Sequence, residues 1–158
     1  MDKNQEEQLN QVLVMFYFAY KTFTEKPDEI IKEYGIQRLH HRIMFFVARF
    51  PGLSVNELLS LLEISKQALN NPLRQLIKKG LITTKSSDQD RRIKQLILTK
   101  EGEKLEKKLS QVQRGQMKKV FTDLGEDYQN AWLKVMTKLS NDRAGYRVWS
   151  DKQNDKSK

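Results

Sequence analysis

Apolar side chains recur every three or four residues along most of the chain, which is the spacing of amphipathic helices. This spacing predicts a helix over residues 6–23, a break at Pro27 and then a short helix that ends at Gly35. The stretch QRLHHRIMFFVARF repeats the helical spacing, and the pair Pro51-Gly52 closes it. The first third of the chain is therefore predicted to be helical.

Two short helices are predicted next. In SVNELLSLLEI, Ser54 is placed to cap the start of a helix, and Glu57 completes a capping box three residues later. In SKQALNNPLRQLIKKGL, Ser65 is placed as a second N-cap and Gly80 as the end. Two short helices joined by a few residues are typical of a helix-turn-helix.

Pro72 lies inside the second of these stretches, and two interpretations are open. In one, Asn71 caps a short helix that begins at Pro72, a position where proline is favourable. In the other, one longer helix runs from Ser65 to Gly80, and the proline costs it a backbone hydrogen bond and introduces a kink. A single apolar stripe crosses the proline without a change of spacing, which favours the longer helix.

The period of the pattern changes after Gly80. LITTK at residues 81–85 and IKQLILT at residues 93–99 have the β-branched character of strands, and the polar SSDQDRR between them predicts a turn. A hairpin that follows a helix-turn-helix makes a winged helix. The predicted fold class is therefore mainly α, as a winged helix-turn-helix with a two-stranded wing.

The last third of the chain returns to helical spacing. Thr99 is placed to cap a helix that Gly125 breaks, and an amphipathic helix follows over residues 128–139. A small winged helix has no core left for these apolar stripes to cover. We therefore expect the first and last helices to form a homodimer.

The predicted elements divide a single domain into three parts. A winged-helix lobe is expected over residues 36–100, and a helical dimerisation region over residues 5–35 and 101–140. Residues 141–158 are expected to form a polar tail, part of which Tyr146 and Trp149 hold against the rest of the chain. Because residues 151–158 are almost wholly polar, the pattern predicts disorder there.

The charge of the chain indicates the kind of molecule that it binds. The chain of 158 residues has a formal net charge of +9, which favours association with a polyanion. Between Ser65 and Lys94 there are eight basic residues against two acidic ones, a net charge of +6. The outward face predicted for the second short helix carries amides and cations and no acid. Together with a basic wing, this face predicts contact with double-stranded DNA.

The composition also excludes several classes of protein. The absence of cysteine excludes disulfides, thiolate ligands and thiol redox sensing. No signal pattern and no apolar run of about 18 residues is present, so we expect a cytoplasmic protein with no membrane partner. His40 and His41 are adjacent and point about 100° apart on a helix, so they cannot share a metal alone, and no cofactor is predicted. No catalytic motif or phosphate-binding loop is present, so no enzyme is predicted.

The stretch PGLSVNELLSLLEISKQALNNPLRQLIKKGLITTKSSDQDRRIKQLILTKEG resembles the winged-helix core of the MarR family of bacterial transcription regulators. Its most specific part is DQDRRIKQLILTKEG, where Asp90 and Arg92 at the wing tip precede Leu98-Thr99 and Gly102. The resemblance implies a homodimer whose second helix-turn-helix helix enters the major groove while the wing reaches the adjacent minor groove. It also implies that Arg92 inserts into the minor groove and that Asp90 orients its guanidinium. The negative potential of a narrow minor groove attracts arginine, and a carboxylate can fix the planar guanidinium.

The predicted recognition helix departs from the family pattern. Many members carry an arginine where this chain has Asn71, an aliphatic residue where it has Pro72 and an acid where it has Arg74. No operator can therefore be transferred, and our hypothesis is that Pro72 re-aims the start of the helix. The residues predicted to contact DNA are Ser65, Lys66, Gln67, Asn70, Asn71, Arg74, Asp90, Arg91, Arg92 and Lys94.

Two functions are left open by the sequence. The first is a homodimeric, sequence-specific regulator that binds a pseudo-palindromic operator, and the resemblance implies a repressor relieved by a small phenolic or anionic ligand. The residues predicted to line the ligand site are Phe16, Tyr20, His40, His41 and Met44. The second is a non-specific architectural DNA-binding protein or a winged helix used for protein interaction, which the altered recognition helix keeps open.

Overall fold

The computed structural model describes residues 1–158 as seven helices and three short strands. In chain order they are α1 (Lys3–Glu33), α2 (Arg38–Arg49), β1 (Leu53–Ser54), α3 (Val55–Leu62), α4 (Lys66–Lys78), β2 (Ile82–Ser86), β3 (Lys94–Leu98), α5 (Lys100–Leu124), α6 (Glu126–Ser140) and α7 (Ala144–Lys156). Helices α3 and α4 form the helix-turn-helix, and β2 and β3 form the wing. The predicted fold class is confirmed.

The first helix is longer than the pattern predicts, because it continues through Pro27. The predicted break at Pro27 is wrong. A proline inside a helix costs roughly 3 kcal/mol when nothing supports it. Here the Pro27 ring is fully buried, and Ile31 one turn later is 3% exposed in the core. Burial of these apolar groups offsets the lost backbone hydrogen bond.

The fourth helix also contains its proline, and the interpretation of one longer helix is confirmed. The Ser65 hydroxyl accepts a hydrogen bond from the Ala68 N–H at 3.1 Å, so the helix begins where the cap predicts. Leu69, Leu73 and Leu76 are buried on both sides of Pro72. Their contacts with the core lie on both sides of the proline and support the helix across it.

The wing belongs to a three-stranded antiparallel sheet in the order β1-β3-β2. The predicted hairpin is confirmed, with Ile82 opposite Leu98 and Ser86 opposite Lys94. β1 adds a third strand that the sequence pattern does not reveal, since two residues are too few to show an alternation. β1 pairs Leu53 with Leu96 and connects α2 to the centre of the sheet.

The start of α5 is fixed against the residues that follow α4. The Thr99 hydroxyl donates to the Gly80 carbonyl at 2.6 Å and accepts from the Gly102 N–H at 3.0 Å. A side chain at position 102 would place its Cβ 2.0 Å from the Leu81 carbonyl oxygen. Only glycine permits this approach, so α5 leaves the wing at one fixed angle.

The C-terminal tail forms a helix, α7, that packs on α3 in the winged-helix lobe, and the predicted disorder of residues 151–158 is wrong. Trp149 packs against Phe45, Phe46 and Phe50, with ring centroids 6.3, 5.9 and 5.1 Å apart. The helix approaches α3 so closely that a Cβ at Gly145 would lie 2.5 Å from a carbonyl oxygen. Long-range aromatic packing thus orders a segment whose composition is polar.

One core of eighteen buried apolar residues lies between Ile31 and Leu109. Helix α6 contributes no buried residue to it. None of the helices has both the length and the apolar character that crossing a membrane requires.

Candidate nucleic-acid interface

Helix α4 presents its polar residues outward from the lobe. Leu69, Leu73 and Leu76 face the core, so the remaining positions of the helix face solvent. The six residues of this segment predicted to contact DNA are all exposed: Ser65, Lys66, Gln67, Asn70, Asn71 and Arg74. The first turn holds no acidic residue. The result is a surface of amide and cationic groups that can donate to base edges and phosphates.

The tip of the wing holds Arg92 in a fixed orientation. Its side chain is 91% exposed, yet its Nε and Nη2 donate to the two carboxylate oxygens of Asp90 at 3.2 and 3.3 Å. Asp90 also accepts the backbone N–H of Arg92 at 3.0 Å. The hydrogen bond from the Arg92 side chain, together with that from its backbone, lowers the pKa of Asp90. A planar cation is thus aimed outward and stays paired with a charged carboxylate.

The other wing residues flank this pair. Arg91 is exposed at the tip, and Lys94 is exposed at the start of β3. Ser87 is 8% exposed and closes the turn, since its N–H donates to the Ile93 carbonyl and its hydroxyl accepts from the Gln89 N–H. The turn is therefore built to project its cations.

The recognition helix α4 has one side-chain link to α2 that the sequence reasoning missed. His40 is 4% exposed, and its Nδ1 accepts the Gln37 N–H at 3.0 Å. Its Nε2 lies 2.6 Å from Oε1 of Gln75 on α4. The two residues are 35 positions apart, so no local pattern indicates the contact. His41, the adjacent histidine, is also buried.

A small cavity of about 210 Å³ lies between α1 and α2. On its wall, Arg38 binds Asp28 at 2.6 Å, and the Tyr20 hydroxyl accepts hydrogen bonds from Arg38 and Arg42 at 3.5 and 3.3 Å. The hydrogen bond to Asp28 raises the pKa of Arg38. Burial lowers the pKa of His41, which also lines this cavity. The wall therefore places the guanidinium groups of Arg38 and Arg42 beside the Tyr20 hydroxyl.

A larger cavity of about 600 Å³ lies among α1, α2, α5 and α6. Arg49 on its wall forms an ion pair with the buried Glu106 and donates to the Ser110 hydroxyl at 3.1 Å. Arg114 and Lys118 add two further cations to the wall. Glu126 adds one carboxylate, so with Arg49 paired the wall has a net charge of +1 and suits a small anionic molecule that has an apolar part.

The five predicted ligand residues fall into two groups. Tyr20 and His41 line the smaller cavity. Phe16, His40 and Met44 line neither cavity. Phe16 is 56% exposed on the outside of α1, His40 bonds to Gln75, and Met44 is fully buried in the core. No group of three or more histidine and acidic side chains is arranged to hold a metal ion.

Helices α1 and α6 carry large apolar side chains that nothing in the chain covers. We call these residues the open apolar surface: Leu9, Val12, Leu13, Val14, Met15, Phe16, Tyr17 and Phe18 on α1, and Tyr128, Trp132, Leu133, Val135 and Leu139 on α6. Each is at least 42% exposed. Exposed apolar side chains in such numbers mark a site of association.

Sequence comparison places these features among known proteins. Residues 34–93 match the MarR family profile. The HTH-type transcriptional regulator PetP of Rhodobacter capsulatus is 35% identical over 148 residues, which cover 92% of this chain and 89% of PetP. The HTH-type transcriptional regulator SarZ of Staphylococcus epidermidis is 24% identical over 120 residues, covering 76% of this chain and 80% of SarZ.

Solved structures share the fold at low sequence identity. A MarR family transcription regulator aligns with a TM-score of 0.73 and 17% identity over 96% of both chains. Reduced AbfR bound to DNA aligns with a TM-score of 0.65 and 17% identity, over 89% of this chain and 98% of AbfR. The winged-helix lobe and the long flanking helices are thus both part of a known architecture.

Proposed function

This chain belongs to the MarR family of DNA-binding transcription regulators, and we propose that it acts as a homodimer that recognises one operator sequence and represses transcription until a small ligand binds. Like its relatives, it is a regulator and not an enzyme. The observation that carries the proposal is the pairing of an acid-free recognition face with an oriented wing-tip arginine on one lobe.

The recognition helix and the wing support readout of both grooves. Asn70, Asn71 and Gln67 carry the amides that pair with adenine in the major groove, and Arg74 suits guanine or a phosphate. Arg92 suits a narrow minor groove, and its carboxylate partner limits its rotation. Phosphate contacts alone would not need an oriented fork, so this geometry supports sequence readout over purely architectural binding.

The open apolar surface supports the homodimer. Seven consecutive exposed apolar residues, 12–18, cover several sides of α1, so a partner must surround this helix rather than touch one stripe. A second copy supplies the matching surface from its own α1 and α6. Two-fold symmetry then places two recognition helices about one DNA turn apart, on half-sites of a pseudo-palindrome.

The cavities support control by a ligand. Both are lined by residues of α1 and α2, the helices that connect the dimer surface to the winged-helix lobe. Arginines and aromatic rings in their walls suit a phenolic or anionic molecule. Such a ligand lowers DNA affinity if it binds more tightly to the lobe arrangement that does not fit DNA.

The proposal is tested by selecting duplexes from a random pool with the purified protein at about physiological salt. We expect a pseudo-palindrome with two half-sites. Arg92→Ala should bind the selected operator about tenfold more weakly and lose preference at the flanking minor-groove positions. Arg91→Ala is the matched control, because it removes a neighbouring exposed cation that has no carboxylate partner. It should weaken binding to all sequences alike.

Two outcomes decide against the proposal. Tight, salt-sensitive binding that enriches no motif would mean that the basic face holds only the DNA backbone, and the architectural function would replace sequence-specific regulation. A motif with a single half-site would contradict the dimer while leaving sequence recognition in place.

A further inference from the structure

The recognition helix is weakened at its centre by Pro72. This residue lacks an N–H, so the Ala68 carbonyl has no helical partner at that turn. The residues before the proline carry most of the amides that face outward. The residues after it hold Arg74 and the buried Leu73 and Leu76. Only Leu69 anchors the first half in the core, so the direction of the first half also depends on how firmly the second half is held.

The second half is held by Leu73 and Leu76 in the core and by the bond between Gln75 and His40. Since the Gln37 N–H donates to Nδ1 of His40, that nitrogen carries no proton in this arrangement. Nε2 therefore carries the proton and donates it to Oε1 of Gln75 at 2.6 Å. His40 is 4% exposed, so loss of this bond would leave a buried donor without a partner.

Gln75 lies among the residues that face DNA. It is one helical turn after Asn71 and so shares that residue's side of the helix, while Arg74 points about 100° away around the axis. A rotation of α4 about its axis would move Gln75 and these two side chains together. The bond to His40 resists that rotation from inside the lobe.

Near His40, the start of α2 also contacts α1. Arg38, two positions earlier on α2, forms a bidentate pair with Asp28 of α1, with distances of 2.6 to 3.0 Å. Gln37, whose N–H contacts His40, precedes the first turn of α2. The start of α2 thus joins α1 to the recognition helix through two adjacent polar contacts.

We propose that His40 is a positioning residue that sets the rotation of the recognition helix through Gln75 and thereby its base preference. This inference rests on the sequence-specific DNA binding proposed above. His40 itself contacts no DNA, because it is buried behind α4.

The test compares base preference with overall affinity for five variants. His40→Asn keeps an acceptor for the Gln37 N–H but is too short to reach Gln75. Gln75→Ala removes the acceptor from an exposed position, so it tests the link without a change in the core. Because both substitutions break the same bond, the double variant should lose no more base preference than the more damaging single variant. Gln111→Ala, an exposed glutamine on α5 whose side chain bonds to no residue, is the control.

The readout is the affinity for the selected operator divided by that for duplexes with one changed base pair under α4. We expect this ratio to fall roughly tenfold in His40→Asn and Gln75→Ala, about the loss of one base contact. The same ratio for base pairs under the wing should not change. Gln75→Glu should keep the base preference, since it keeps an acceptor, while its charge lowers affinity for all duplexes.

Three results are distinguishable. If the wild type enriches a motif and Gln75→Ala keeps full base preference, the role of His40 is overturned and the proposed function stands. If the wild type enriches no motif, sequence-specific binding itself fails. If His40→Asn unfolds the protein, Gln75→Ala and Gln75→Glu still decide the inference, because both alter only an exposed side chain.

Discussion

The winged-helix lobe and the open apolar surface differ in how they use apolar residues. The lobe, with Ile31 of α1 and Leu105 and Leu109 of α5, buries eighteen apolar side chains in one core. Helix α7 packs on its surface. Helix α6 has apolar residues at similar density and buries none. The core is thus complete within one chain, whereas the open apolar surface stays in water unless the homodimer proposed above covers it. The difference predicts which substitutions act on folding and which act on association.

The largest effect is expected from Leu133→Asp in the open apolar surface. Leu133 is 49% exposed in the single chain and would be buried twice in a symmetric dimer. Loss of two buried leucines costs about 4 kcal/mol, or roughly a thousandfold in the dimer dissociation constant. Sedimentation equilibrium measures this constant. Asn130→Asp adds the same charge at a polar position of α6 and should leave the dimer intact, so equal weakening by both variants would contradict the assignment.

A pair of methionine substitutions tests whether the lobe core contributes to folding and the open apolar surface to dimerisation. Met44 is fully buried, so Met44→Ala should lower the free energy of unfolding by about 3 kcal/mol and leave the dimer dissociation constant unchanged. Met15→Ala makes the same chemical change at a residue that is 61% exposed on α1. It should affect the dimer more than the unfolding of the lobe. Urea titration and sedimentation together distinguish the two, and a reversed pattern would refute the division between lobe and surface.

The C-terminal helix tests where the lobe ends. Trp149→Ala removes the ring that packs on three phenylalanines, and because this ring is only half-buried we expect a loss of about 2 kcal/mol. Amide hydrogen exchange should show α7 losing protection together with α3. Asn154→Ala, on the exposed side of the same helix, should have no effect. Unchanged protection in Trp149→Ala would mean that α7 does not belong to the lobe.

The smallest effect concerns the ion pair between Lys152 of α7 and Glu57 of α3, at 2.8 Å. Burial raises the pKa of Glu57, but the hydrogen bonds from Lys152 and from the Ser54 N–H outweigh it, so the pKa is lowered. A lowered carboxyl pKa contributes stability above its unfolded value, and this contribution is lost as the pH falls through the folded value. Glu57→Gln should therefore destabilise by under about 1 kcal/mol at neutral pH, since the pair is partly exposed. The difference from the wild type should vanish in acid, and one that grows as the pH falls would contradict this account.

The parts of the structure that the sequence predicts are those with local signals. Ser54, Ser65 and Thr99 cap helices as expected, because a cap involves only residues three positions apart. The wing follows from β-branched residues on either side of a polar turn. The pairing of Asp90 with Arg92 is equally local. These features need no knowledge of the tertiary fold.

The features that the sequence does not predict depend on distant contacts. Helix α1 continues through Pro27 because that ring is buried in the fold, and α7 forms because Trp149 meets phenylalanines about a hundred residues away. The bond from His40 to Gln75 spans 35 positions. No window of the sequence contains both partners of such contacts, so propensity and composition mislead there.

The central claim is that two copies of this chain together bind one operator. The most direct measurement is the mass of the complex on the selected duplex, by size-exclusion chromatography with light scattering. The account predicts two chains per duplex for the wild type, and loss of that complex for Leu133→Asp at concentrations where Asn130→Asp retains it. One chain per duplex with unchanged sequence preference, or an open-ended number of chains, would contradict it.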